Sequence, residues 1–130
     1  RPWQHVLEPL SGYLTLAASM LERPDPKWCG GWNFGPVSGT ELPVGKLVDA
    51  FIAAWGSGRR ADCGESDQPH EASILRLSIE KAGWELGWRP RWTCGQMIER
   101  TARWYQSVLC EGAGAREACE ADIEAYGDPL

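Results

Sequence analysis

The chain has 130 residues, 43% apolar and 24% charged, which is the size and composition of one domain able to bury a real core. A net charge of −5 argues against nucleic acid or anionic membrane as partner, because phosphate binding draws on a basic surface. No apolar run approaches a membrane span, no signal peptide is visible, and a chain that begins at Arg1 leaves room for an absent upstream piece.

The first stretch, Arg1-Pro2-Trp3-Gln4-His5-Val6-Leu7-Glu8, packs a cation, an indole, an amide, an imidazole and a carboxylate into eight positions. It reads as a short extended segment, with Trp3, His5 and Leu7 to one side and Gln4 and Val6 to the other. Pro9 suits the first turn of a helix, where its missing N–H is no loss. Leu10, Tyr13, Leu14, Ala17, Met20 and Leu21 then recur at three and four residues, and the spacing predicts one continuous apolar helix face.

Arg23-Pro24-Asp25-Pro26-Lys27 is a cluster of helix breakers and belongs on a surface loop. Trp32-Asn33-Phe34-Gly35-Pro36 reads as a short strand closed by Gly-Pro, with Asn33 as its polar residue, open to a ligand or to a turn hydrogen bond. Val44, Leu47, Val48, Phe51, Ile52 and Trp55 form a second helical stripe that Gly56 ends. Residues 58–69 are polar and glycine-containing, a mobile loop in this reading.

Ile74-Leu75-Arg76-Leu77 is a third short strand, and Ser78 a candidate N-cap for a helix through Leu86, closed by Gly87. Thr93 can cap a helix bearing Met97, Ile98, Thr101, Tyr105, Val108 and Leu109. Past Gly112-Ala113-Gly114, a last amphipathic helix sets Cys119, Ile123 and Tyr126 on one side. The reading is one α/β domain over residues 1–130, mostly helical, with four or five helices and three short strands. The eight tryptophans are read as packing residues, with base or sugar stacking as the alternative.

Cys29, Cys63, Cys94, Cys110 and Cys119 are odd in number and widely spaced, and His5 and His70 are the only histidines. That pattern gives no zinc site and suits free thiols in a reducing cytoplasm. Glu117, Glu120 and Glu124 fall at i, i+3 and i, i+4 spacings, which a solvated helix face explains without hydrolase chemistry.

The wording Arg1-Pro2-Trp3-Gln4-His5-Val6-Leu7-Glu8-Pro9-Leu10-Ser11-Gly12-Tyr13-Leu14 resembles a motif of the CDP-glucose 4,6-dehydratases, members of the extended short-chain dehydrogenase/reductase superfamily. Trp32-Asn33-Phe34-Gly35-Pro36, Leu86-Gly87-Trp88-Arg89-Pro90 and Ile98-Glu99-Arg100-Thr101 with Trp104-Tyr105 are similar to later parts of the same family. One departure is Ser78-Ile79-Glu80-Lys81-Ala82, where many relatives carry Asp-x-Ser-Lys-Ala. Residues 59–67 have no firm register against the family.

The resemblance implies the small C-terminal, nucleotide-sugar-binding portion of such an enzyme, with the dinucleotide-binding domain absent. It implies substrate contacts from Arg1, Trp3, His5, Asn33, His70 and Glu71, with Arg76 and Arg91 as looser candidates. Each has a structural alternative: packing for Trp3, a satisfied imidazole for His5, a helix cap for Glu71, a frayed terminus for Arg1. The family uses NAD, but Gly83, Gly87 and Gly95 do not make its glycine-rich spacing, so this chain alone is expected to bind no cofactor. Tyr13, Tyr105 and Tyr126 are followed four residues on by Ala17, Leu109 and Leu130, so the Tyr-x-x-x-Lys pair is missing and no catalytic residue is assigned.

Two functions fit this reading. One is a truncated dehydratase-like protein whose bared surface drives self-association. The other is a binding or interaction module that holds a nucleotide sugar such as CDP-glucose, assembling with itself or with a separate dinucleotide-binding chain.

Overall fold

The computed structural model describes residues 1–61 and 75–127. Among them are α1 (Leu7–Glu22), a short 3₁₀ turn (Pro26–Trp28), α2 (Val44–Trp55), α3 (Glu80–Leu86), α4 (Cys94–Leu109) and α5 (Ala115–Gly127). No described helix is long and apolar enough to cross a membrane.

The helix ends follow local chemistry. Thr93 accepts from the Gln96 backbone N–H while the Gln96 side chain accepts from the Thr93 N–H, a reciprocal capping box that starts α4. Gly56 and Gly87 close α2 and α3 with φ of 87° and 68°, a left-handed backbone that glycine adopts without a Cβ penalty. Ser78 does not cap α3. Its hydroxyl bonds the Glu80 carboxylate instead, and the cap position falls to Ile79.

The three expected strands are absent among the described residues. Residues 1–5, 29–36 and 75–79 carry no ladder, and Ile74 lies outside the described residues. A strand needs a neighbour for its backbone, and here the neighbours bond through side chains. Trp3 Nε1 donates to the Leu42 carbonyl at 2.9 Å, and Gln4 Nε2 to the Phe34 carbonyl at 2.9 Å. The fold is mostly helical, as expected, without its strand component.

Two aromatic clusters form the core. In the first, Phe34 meets Trp88 edge to face at 5.0 Å, with Ala82 buried beside them and Leu16, Trp32, Ile79 and Leu86 around the margin. α1 and α3 pack together over this cluster. In the second, Trp92 lies edge-on to both His5, at 4.8 Å, and Tyr126, at 5.0 Å. α4 carries the buried Met97, Ile98 and Ala102, packs along α2 on one side and touches α5 on the other. Gln106 Nε2 donates to the Trp55 carbonyl at 2.7 Å, tying the end of α2 to α4.

α1 corrects the sequence expectation most sharply. Its buried residues are Glu8, Gly12 and Ser19. Much of the apolar stripe faces outward, with Leu14 72% and Leu21 83% exposed, and Leu10, Tyr13 and Met20 also exposed. Close approach decides the orientation, because a Cβ on Gly12 would fall 2.2 Å from the Phe34 ring. On α5, likewise, Tyr126 is buried while Ile123 and Cys119 are exposed. The tryptophans do serve as packing residues at 28, 88 and 92, but Trp84 is 85% exposed.

Candidate functional site

The polar opening of the chain meets the end of the last helix at Glu8. This carboxylate is 1% exposed and is filled by donors on all sides. Oε1 accepts from the backbone N–H of Trp92 at 2.7 Å and of Arg91 at 3.1 Å. Oε2 accepts from the Tyr126 hydroxyl at 2.7 Å and lies 3.0 Å from the same Arg91 nitrogen. Ser11 extends the network: its hydroxyl bonds the Glu8 carbonyl, accepts from Trp88 Nε1 at 2.8 Å and lies 2.9 Å from Tyr126 Oη. Arg91 Nη1 donates to the Tyr126 carbonyl at 2.7 Å. Such a network is held by hydrogen-bond donors.

Burial above all, together with the neighbouring Glu8 charge, raises the Tyr126 hydroxyl to about 12. Tyr126 is therefore a fixed hydrogen-bond donor at neutral pH, with no tendency to act as a general base.

His5 lies one turn before Glu8 and is 8% exposed. Leu7 N–H donates to its Nδ1 at 3.3 Å, so the neutral ring carries its proton on Nε2. Nε2 faces Asp122 Oδ2 of α5 at 3.9 Å, and Asp122 also lies 3.7 Å from Arg100 of α4. Burial dominates and lowers the imidazole below its ordinary value, against the opposing pull of Asp122 and Glu8 and with help from Arg100. Among the described residues no activated nucleophile accompanies it. Burial pushes the Cys94 thiol up, away from the thiolate that nucleophilic chemistry needs.

A groove of about 740 Å³ opens beside His5, walled by Trp3, Leu47, Phe51, Tyr105 and Ile123 among others. Its size suits a small molecule, but its lining is mostly apolar, with polar groups from Gln4, His5, Thr101, Tyr105, Cys119 and Asp122. Gln4 Oε1 is buried and, among the described residues, accepts no hydrogen bond.

The expected site residues divide as follows. Trp3 and His5 share the groove. Arg1 lies close by in the chain: its N-terminal ammonium and Trp3 Nε1 both donate to the Leu42 carbonyl, at 3.0 and 2.9 Å. Asn33 is exposed outside the groove, next to Phe34, whose carbonyl receives Gln4. His70 and Glu71 lie outside the described residues. Arg91 serves the backbone of α5, and Arg76 pairs with Glu41 at 3.1 Å. Sequence reasoning did not single out Glu8 or Asp122. The signal for Glu8 was a carboxylate in register with Gly12 and Ser19, the small residues of the buried face.

Gly83 and Gly95 lie inside α3 and α4, and Gly87 closes α3, so none of the three links a strand to a helix start. Of the first-turn donors of α4, the Gln96 N–H is engaged by the Thr93 hydroxyl.

No protein-family model matches the chain. It is similar to the CDP-glucose 4,6-dehydratase of Salmonella typhimurium, with 40% identity over 109 residues, 84% of this chain. Those residues are 30% of that protein, so the chain matches a C-terminal portion of the enzyme and spans about a third of its length.

Proposed function

We propose that this chain is the nucleotide-sugar-binding portion of a CDP-glucose 4,6-dehydratase-like protein, without dehydratase activity by itself. The observation that carries the reading is the 40% identity across 84% of the chain. In this reading Arg1, Trp3, His5, Asn33, His70 and Glu71 contribute to one wall of a site for a nucleotide sugar such as CDP-glucose. A guanidinium suits diphosphate oxygens, and a carboxylate suits the paired hydroxyls of a ribose. The apolar lining of the groove beside His5 suits a base or a sugar face better than a diphosphate.

The chemistry of the described residues supports an incomplete site. Tyr126 is locked as a donor to Glu8, and the Nε2 of His5 faces Asp122, a carboxylate, at 3.9 Å. NAD, which the resemblance implies for the family, would belong to a domain outside this chain, and so would the strand partners missing here. Calorimetric titration with CDP-glucose tests the reading. Heat and a thermal shift are expected at millimolar ligand or below, weakened by Arg1→Ala and Trp3→Ala; no heat and no shift at millimolar ligand would remove it.

A second reading is a stand-alone interaction module, favoured by the outward apolar stripe of α1.

A further inference from the structure

The C-terminal end of α1 leads into a loop pinned by its own tryptophans. The Trp28 indole N–H donates to the Arg23 carbonyl at 2.7 Å, and the Trp32 indole N–H to the Trp28 carbonyl at 3.1 Å. The two ring centroids lie 6.0 Å apart, and cations rest on both. Lys27 Nζ is 4.4 Å and Arg23 Cζ 5.5 Å from the centroid of Trp28, and Lys81 Nζ of α3 is 4.0 Å from that of Trp32. Contact with a ring face holds a long cationic side chain in place without supplying a counter-charge.

Among the described residues Arg23, Lys27 and Lys81 form no ion pair, although the chain carries a net charge of −5. Asp25, the acid of the loop, has its carboxylate on the Lys27 backbone N–H at 2.8 Å. Gly30 and Gly31 follow. Neither backbone N–H donates to an acceptor among the described residues, and both residues are exposed. A Cβ built on either glycine would meet nothing within 4 Å, and Gly30 holds φ at 141°, in the left-handed region. Lys81 Nζ donates to the Gly31 carbonyl at 3.2 Å, which keeps an ammonium beside these two residues. Successive open N–H groups with cations next to them are the parts from which oxyanion sites are built.

We propose that the 23–31 loop and the start of α3 bind a phosphate group, either the free ion or a small-molecule monoester. Gly30 and Gly31 donate to its oxygens, Lys81 and Lys27 balance its charge, and Arg23 adds to the positive field. A carboxylate would offset one cation, whereas a phosphate monoester carries nearly two negative charges and three strong acceptor oxygens. The site is separate from the nucleotide-sugar wall proposed above. Arg1, Trp3 and His5 precede α1 and the loop follows it, so a helix of 16 residues stands between them, a length of about 24 Å. The inference goes beyond that reading and does not rest on it.

The test follows the backbone amide resonances of the isotope-labelled full chain during titration with sodium phosphate and, in a second arm, with glycerol phosphate. Each is run against sodium chloride of equal ionic strength. Saturable shifts of the Gly30 and Gly31 amides are expected, half complete at about 1 mM or below. Lys81→Met and Lys27→Met should each weaken binding at least about tenfold, with the far-ultraviolet circular dichroism unchanged, since both residues are exposed and methionine keeps an unbranched stem over the ring. The two variants lie on different elements, so either can decide the matter alone. Tighter binding of glycerol phosphate identifies an ester as the ligand, and equal or tighter binding of inorganic phosphate identifies the free ion; both support the site. Shifts that chloride reproduces, shifts that grow without saturating, or saturable shifts that survive both variants overturn it. CDP-glucose forms a third arm. Shifts of the same two amides by CDP-glucose would assign the loop to the nucleotide-sugar wall and overturn a separate site, whereas its failure to bind anywhere removes only the earlier reading.

Discussion

Tyr126 donates its hydroxyl hydrogen to Glu8 across 2.7 Å and 118 positions of sequence, joining the first turn of α1 to the last turn of α5. The same carboxylate takes the backbone N–H groups of Arg91 and Trp92. Glu8 thus holds three separate parts of the chain around one buried pair of oxygens.

Glu8→Ala should therefore be among the most damaging single substitutions, because it takes the acceptor from two backbone donors and from the Tyr126 phenol, which keeps only its contact with Ser11. At roughly 1–3 kcal/mol for each orphaned group, a loss of at least about 3 kcal/mol is expected in urea unfolding. Glu8→Gln should recover only part of it, since the amide nitrogen would face a donor. Tyr126→Phe removes the hydroxyl's bonds to Glu8 and Ser11 and should cost about 1–3 kcal/mol; equal stability of all three variants would contradict the arrangement.

Stability should decline on the acid side through His5. Its folded value lies below the ordinary 6.5, so the unfolded chain takes up a proton first as pH falls. The contribution of the neutral buried ring is complete above 6.5 and is lost as pH drops from there through the folded value. His5→Gln should flatten this part of the profile, read as the slope of unfolding free energy against pH below 6.5.

At the alkaline end the sign reverses. The Tyr126 hydroxyl is raised from 10.0 to about 12, so its contribution is intact below 10 and disappears between 10 and about 12. An ultraviolet titration should show a tyrosine step at about 12, and Tyr126→Phe should remove that step.

Gly12→Ala sets two effects against each other. Helix propensity favours alanine by about 1 kcal/mol. The added Cβ would meet the Phe34 ring at 2.2 Å, and overpacking typically costs about 1–3 kcal/mol. A net loss is expected, and Phe34→Leu in the same chain should relieve part of it. A stabilised Gly12→Ala protein would place α1 differently.

Much of the helical architecture was legible in the chain. Gly56 and Gly87 ended helices where a left-handed residue was needed, and Thr93 announced α4; its partner in the cap, Gln96, was not foreseen. The orientation of α1 was not legible, because periodicity finds an apolar stripe without saying what lies against it. In this helix the face that packs is marked by small size, at Gly12 and Ser19, and by a satisfied carboxylate. The strand reading failed for a related reason: alternation in Trp3, His5 and Leu7 shows that a segment can extend, and only a neighbouring backbone makes it a ladder. Of the site, the sequence pointed to Trp3 and His5 as near neighbours, and it missed Asp122, which reaches His5 only through the packing of α5.

The span of the Glu8 bonds bears on the order in which the chain assembles. Its partners lie 83, 84 and 118 positions away, whereas most contacts of a helical protein are local and close within microseconds to milliseconds. α4 can form early from its own capping box and its contacts with α2. The carboxylate finds its donors only after α1, the 88–92 segment and α5 have been brought together. Truncating Glu8 should then accelerate unfolding far more than it slows refolding, making this residue the latch that determines how long the native state lasts.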